Sequence, residues 1–309
     1  MRIVIAEFMD EPAVDALRAR FDVRFDAGLV ERRADLAAAL ADADALIVRN
    51  RTRVDRELLA AAPRLRVVGR LGVGLDNIDV AACEARGIRV VPATGANALA
   101  VAEYVVCAAM LLLRGAYLST TEVGDGKWPR ARLGEGREAA GKTLGIVGFG
   151  GIGRLAAKLA LGLGMKVAAT DAMIPADSPV WREAGATRAS LDELLAGSDA
   201  VTLHVPLTAD TRHLIDAGRI ARMKPGAVLI NTARGGVVDE RALADALRSG
   251  RLGGAALDVF EAEPLPAGSP LAGAPNLVLT PHVAGVTRES NERVSAMIAR
   301  EVAEALARS

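Results

Sequence analysis

Thr143-Leu144-Gly145-Ile146-Val147-Gly148-Phe149-Gly150-Gly151-Ile152-Gly153 is the stretch on which the fold turns. Five mostly aliphatic residues read as a strand, and the G-x-G-x-x-G after them opens a segment, Ile152 to Leu163, with helical spacing of its apolar residues. With 31 glycines in the chain the glycine pattern alone is weak evidence, but its context is specific. The next strand, Lys166 to Thr170, leads into Asp171, placed where an acid accepts the hydroxyls of a ribose. Gly148, Gly150, Gly151, Ile152 and Gly153 then form the turn, the close approach to a pyrophosphate and the tight packing of helix on strand. Asp171 would repel a 2′-phosphate, and Ala172 and Met173 bring no cation, so the cofactor expected is NAD rather than NADP.

The same alternation extends in both directions. Upstream, strands are expected near Ile3 to Ala6, Asp22 to Phe25, Ala45 to Arg49, Arg66 to Gly69 and Arg89 to Val91, separated by Ala- and Leu-rich helical segments. Downstream, strands near Ala200 to Val205, Val228 to Asn231, Ala255 to Val259 and Leu277 to Leu279 alternate with helices, and Arg288 to Ala307 closes the chain as an amphipathic helix. Strand after helix after strand implies parallel sheets. At 309 residues the chain exceeds one ordinary core, so two doubly wound α/β domains are expected. One is a Rossmann domain for NAD over 98–281; the other is a discontinuous, flavodoxin-like substrate domain built from 1–97 plus 282–309. Asn97 to Arg114 is apolar nearly all round, which calls for burial on several sides. The segment after it, through Gly124-Asp125-Gly126-Lys127-Trp128-Pro129 to Gly141, shows no periodicity and reads as an irregular arm. Helix and arm together are the expected surface of a homodimer.

Composition removes several function classes. Thirty-eight basic and 38 acidic residues give no net field for nucleic acid or an anionic membrane. The N-terminus is too short in apolar residues for a signal peptide, and Ala98 to Leu113 falls short of a membrane span. Cys83 and Cys107 are the only cysteines, which excludes a disulfide framework or a cysteine-bound metal; no metal is expected, and a reducing cytoplasm fits.

Three further stretches carry a resemblance: Ile230-Asn231-Thr232-Ala233-Arg234-Gly235-Gly236, Ala256-Leu257-Asp258-Val259-Phe260-Glu261-Ala262-Glu263-Pro264, and Thr280-Pro281-His282-Val283-Ala284-Gly285. With the glycine fingerprint they resemble the D-isomer-specific 2-hydroxyacid dehydrogenases over essentially the whole chain. The resemblance implies hydride transfer between nicotinamide and C2 of a 2-hydroxy or 2-keto acid, with Arg234, Glu263 and His282 as the catalytic arginine, glutamate and histidine. It further implies cofactor contacts at His204, Val205, Pro206, Thr211, Thr232, Ala233, Asp258 and Gly285, and substrate contacts at Gly72, Val73, Gly74 and Asn97. The chemistry agrees. The planar fork of arginine suits a carboxylate, and histidine can take a hydroxyl proton while a glutamate orients it and stabilises its cation. Glycines within Gly69-Arg70-Leu71-Gly72-Val73-Gly74 allow successive N–H groups to converge on an anion. His213 has surface neighbours and receives no role.

Between residues 49 and 70, seven arginines face only Asp55 and Glu57, a local excess of five positive charges in a neutral protein. Arg56, Arg64 and Arg66 read as a solvated face. Arg49 and Arg70 end strands, where ligands of α/β sheets bind, and match arginines that the 3-phosphoglycerate dehydrogenase-like branch uses for phosphate. Yet His282 is followed by Val283-Ala284-Gly285, a pattern of other branches, and the chain ends at Ser309 without the regulatory domains many of that branch carry. The expected substrate bears a second anion, 3-phosphoglycerate-like or sulfolactate-like. Glyoxylate or hydroxypyruvate reduction is the alternative, and a dinucleotide-sensing scaffold resembling the C-terminal-binding corepressors is an alternative of another class.

Overall fold

Short aliphatic runs become parallel strands. In the computed structural model, which describes residues 1–308, the chain divides into two units: Met1–Asn97 together with the chain from Val286 onward, and Ala98–Gly285. The first unit holds β1 (Arg2–Ile5), β2 (Asp22–Phe25), β3 (Ala45–Val48), β4 (Val67–Arg70) and β5 (Arg89–Pro92). Their order is β2-β1-β3-β4-β5, all parallel, the flavodoxin-like arrangement. The two-residue period of the strands sorts the core. Ile3, Ile5, Ala45 and Ile47 share one face with Val294, Ile298, Val302 and Leu306, a stripe at four-residue spacing on the closing helix Arg288–Ala307. Val4, Leu46, Val48 and Val68 meet Leu36, Leu40, Leu58 and Leu59 on the other. Thr287 caps the closing helix by accepting the Ser290 N–H.

The second unit continues with β6 (Thr143–Val147), β7 (Lys166–Thr170), β8 (Thr187–Arg188), β9 (Ala200–Leu203), β10 (Val228–Asn231), β11 (Gly254–Leu257) and β12 (Leu277–Leu279). Their order is β12-β11-β10-β9-β6-β7-β8, again all parallel. The helix Ala98–Arg114 packs Val101, Val105, Ala109 and Leu112 into the core with Leu144, Ile146, Val228 and Ile230. Strand order reverses between β1 and β3 in one sheet and between β6 and β9 in the other, and ligands of such sheets bind outside the carboxyl ends of the strands at that reversal.

The differences from the sequence reading are local. The arm is not structureless: it carries the helical turns Ala116–Ser119, Thr120–Gly124 and Arg130–Leu133, each too short to show a period. The exposed two-residue strand β8 and the six-residue helix Ala217–Arg222, capped by Asp216, escape pattern reading for the same reason. His282 to Gly285 lie in the second unit, because the buried carboxylate of Asp258 holds the N–H groups of Val283 and Ala284. No single helix among the described residues is long and apolar enough to cross a membrane.

Candidate active site

In the second unit the site begins with an asparagine that the sequence reading did not single out. Asn231, 1% exposed at the end of β10, accepts the Ala233 N–H at 3.0 Å and donates to the Arg234 carbonyl at 2.9 Å, closing the turn that presents Arg234. The arginine's Nη1 donates to the Ala233 carbonyl at 2.6 Å. The turn then runs against the chain after β11 so tightly that a Cβ on Gly235 would stand 1.7 Å from the Phe260 carbonyl oxygen; no other residue fits there. Phe260 N–H in turn donates to Glu263 Oε1 at 3.0 Å, and Glu263 Oε2 lies 2.8 Å from Nδ1 of His282. Arg234, Glu263 and His282, far apart in sequence, are thus set by adjoining loops at the carboxyl edge of β10, β11 and β12.

His282 has φ +56, a left-handed backbone that costs a side-chain-bearing residue of order 1–3 kcal/mol. Its N–H donates to the carbonyls of Asp258 (2.8 Å) and Thr280 (3.0 Å). The Asp258 carboxylate, 1% exposed, accepts the Thr280 hydroxyl at 2.6 Å and the N–H groups of Val283 and Ala284 at 2.8 Å each.

At the strand reversal of the same unit, Gly148 has φ +93, and a Cβ there would meet the His204 carbonyl oxygen at 2.6 Å. Gly150 and Gly151 have nothing within 4 Å of a Cβ position, and the helix Gly151–Gly162 starts with no side-chain cap. The N–H groups of its first turn have no side-chain cap to accept them, as a helix N-terminus that cradles a pyrophosphate requires. Asp171 lies beside this turn, Oδ2 accepting the Phe149 N–H at 2.7 Å and Oδ1 the Met173 N–H at 2.8 Å, which leaves lone pairs for ribose hydroxyls. Thr232 Oγ1 is buried without a hydrogen-bond partner. The residues present fit a dinucleotide. Burial pushes the His204 imidazole down to about 4, so it is neutral at ordinary pH, and its Nε2 contacts Thr202 Oγ1 at 3.1 Å. Thr211 Oγ1 donates to the Pro206 carbonyl at 2.6 Å, bracing the loop after β9. His213 pairs with Glu261 at 3.1 Å.

In the first unit, the reversal between β1 and β3 is occupied by Glu7 and Phe8 after β1 and Arg49 after β3. Glu7, 4% exposed, accepts the N–H groups of Arg49 (2.8 Å), Arg51 (3.2 Å) and Thr52 (2.9 Å) and so spends its charge on the loop backbone. Asn77 Nδ2 donates to the carbonyls of Arg49 (3.2 Å) and Thr52 (2.7 Å), tying that loop to the glycine-rich one after β4. The Arg49 guanidinium bonds Asn291 Oδ1 at 2.9 Å and stands 5.8 Å from the Phe8 ring centroid. It has no carboxylate partner among the described residues, and desolvation lowers its pKa, offset in part by Glu7. Its neighbours in sequence differ: Arg51 pairs with Glu31, Arg56 with Asp79 and Arg64 with Asp44. Arg70, at the end of β4, donates to the Leu71 carbonyl at 3.0 Å and folds across Gly72. Val73 is exposed, and Asn97 Oδ1 is buried without a partner. Glu7, Phe8 and Asn291 escaped the sequence reading, since only the fold joins residue 291 to β1 and β3.

The family model for "D-isomer specific 2-hydroxyacid dehydrogenase, NAD binding domain" matches residues 106–284. The chain is 58% identical to the (S)-sulfolactate dehydrogenase of Chromohalobacter salexigens over 98% of both chains. It is 38% identical to the D-3-phosphoglycerate dehydrogenase of Archaeoglobus fulgidus over 98% of this chain and 56% of that one. The crystal structure of the TT0316 protein from Thermus thermophilus superposes with a TM-score of 0.89, at 37% identity, covering 99% of this chain and 97% of the other.

Proposed function

Because the chain belongs to the D-isomer specific 2-hydroxyacid dehydrogenase family, and is an NAD-dependent 2-hydroxyacid dehydrogenase rather than a scaffold, we propose that its substrate is a 2-hydroxy acid carrying a sulfonate at C3. The observation that carries this reading is Arg49, a half-buried guanidinium at a strand reversal with an amide and an aromatic ring beside it, no carboxylate within ion-pair distance, and a charge that Glu7 offsets only in part. A half-buried cation left so invites an anion from outside. A sulfonate carries one charge at any physiological pH, whereas a phosphate monoester approaches two near neutrality. Arg49, whose charge Glu7 offsets in part, suits the monoanion. The 58% identity to a sulfolactate dehydrogenase supports the same choice.

Bound NAD would supply the acceptor for the hydride that leaves C2. The chain supplies the rest. Glu263 accepts from Nδ1 of His282, so the ring proton sits on Nδ1 and Nε2 is the nitrogen left to take the C2 hydroxyl proton. In the second unit Arg234 holds the substrate carboxylate and polarises the developing carbonyl; in the first unit the N–H groups of the loop at Gly72, Val73 and Gly74, and Asn97, are the groups offered to an anion. Gly148, Gly150, Gly151, Ile152 and Gly153 would cradle the pyrophosphate, Asp171 the ribose, and Val205, Pro206, Thr232 and Ala233 the nicotinamide half.

Two copies pair through the arm, where Tyr117 (66% exposed) and Trp128 (78% exposed) present large apolar surface that a lone chain would leave wet. Two free thiols, Cys83 buried and Cys107 exposed, suit the cytoplasm. The test is a substrate panel followed by nicotinamide absorbance: sulfolactate, 3-phosphoglycerate, glycerate and lactate for oxidation, hydroxypyruvate and glyoxylate for reduction. Preference for sulfolactate supports the reading; faster turnover of glyoxylate or hydroxypyruvate replaces it.

A further inference from the structure

We propose that Tyr104 is a positioning residue for His282, acting through Thr280 and Asp258 from the helix Ala98–Arg114. The inference rests on the reading of His282 as the acid–base group. The Tyr104 hydroxyl lies 2.7 Å from Thr280 Oγ1, and Thr280 Oγ1 lies 2.6 Å from Asp258 Oδ1. A carboxylate has no proton to give, so Thr280 donates to Asp258, and its single hydrogen is then spent. Tyr104 must therefore be the donor to Thr280. Burial raises the phenol's pKa, and the contact to Thr280 opposes that only in part, so the O–H is retained across the working range of pH.

The polarity of the chain runs one way, from phenol to hydroxyl to carboxylate, and ends on the backbone that carries the histidine. Asp258 receives Thr280 on one side and the N–H groups of Val283 and Ala284 on the other, while its own carbonyl accepts the N–H of His282. Residues 280 to 284 are thereby pinned on both sides of a residue at φ +56, a conformation that an L-residue keeps only when its surroundings over-determine it. Glu263 fixes the ring of His282; the Tyr104 chain fixes its main chain. Without the phenolic donor, Thr280 Oγ1 loses its only donor among the described residues, its own bond to Asp258 weakens, and the left-handed turn has one restraint fewer.

The experiment compares native protein with Tyr104→Phe, Thr280→Ser, Thr280→Val, Tyr104→Phe/Thr280→Val and, as control, His282→Asn. Each is assayed with NAD and whichever acid of the panel the native enzyme oxidises fastest. Tyr104→Phe should lower kcat about two- to tenfold with KM for acid and NAD within about twofold of native, since the lost bond sets geometry rather than affinity. The solvent isotope effect on kcat should rise as proton transfer to His282 becomes more limiting. Thr280→Ser keeps the hydroxyl and should stay near native, Thr280→Val should lose at least as much as Tyr104→Phe, and the double variant should be no worse than Thr280→Val. Native kcat and isotope effect in Tyr104→Phe, whatever its thermal midpoint, would overturn the proposal, as would equal damage from serine and valine at 280. Turnover surviving in His282→Asn would instead overturn the reading of the histidine itself.

Discussion

Glu263 reaches His282 Nδ1 with one oxygen, at 2.8 Å, and the backbone of Phe260 with the other, at 3.0 Å. The carboxylate is thus held by its own loop while it selects the tautomer of the imidazole, so its contribution to charge can be separated from its contribution to placement. Glu263→Gln keeps the shape and removes the charge. The imidazolium formed as the C2 hydroxyl gives up its proton then lacks its countercharge, and kcat for oxidation should fall at least about tenfold. Native kcat in the glutamine variant would mean that Glu263 is not the partner of the histidine.

Asp171 sits at the end of β7 with both oxygens anchored to backbone N–H groups, aimed rather than mobile. Asp171→Ala should cost about 1–3 kcal/mol in NAD binding, the scale of charge-assisted hydrogen bonds, and narrow the preference for NAD over NADP. Titration of intrinsic fluorescence with each nucleotide measures it; an unchanged ratio would refute the assignment.

The arginines at the carboxyl ends of β3 and β4 separate substrates by charge. Arg49→Met should raise KM for sulfolactate steeply and lower kcat/KM about ten- to a hundredfold, for loss of ~1.5–3 kcal/mol, with kcat little changed. Arg70→Met should do likewise, and lactate should barely respond to either change. Equal effects on both acids would return Arg49 and Arg70 to the status of a solvated face.

His204 predicts the acid limb of stability. Its folded value, about 4, lies below the ordinary 6.5, so the neutral ring's contribution is fully present above pH 6.5 and is lost as pH falls towards 4. The loss over that window approaches about 3 kcal/mol at 1.36 kcal/mol per unit. His204→Asn should flatten the dependence of the urea midpoint on pH between 7 and 4.5. An unaltered slope would place the acid sensitivity elsewhere.

Trp128→Glu should leave folding intact and shift the mass in sedimentation towards that of one chain, since a charge in an apolar contact opposes association. Identical mass for native and variant would exclude the arm as the pairing surface.

Local pattern determined much of this protein. Strand Thr143–Val147 is legible because burial imposes an aliphatic run, Asp22–Phe25 because polar and apolar residues alternate, and the closing helix Arg288–Ala307 because one face repeats every four residues. Gly148 to Gly153 and Asp171 are legible because one βα unit holds the whole pattern. Arg234, Glu263 and His282 could be named from their motifs, but no spacing along the chain shows that Glu263 meets Nδ1 or that Gly235 must pass under the Phe260 carbonyl. Tertiary structure alone decided which charges are spent. Arg51 finds Glu31, Arg64 finds Asp44 and Glu7 is consumed by three N–H groups, while Arg49 has the amide of residue 291 and the Phe8 ring but no carboxylate within ion-pair distance. Charge counts along a sequence are additive, but pairing and desolvation depend on which strands lie side by side. The order β2-β1-β3-β4-β5, which brings Glu7, Phe8 and Arg49 to one edge, is set by packing between segments distant in the chain.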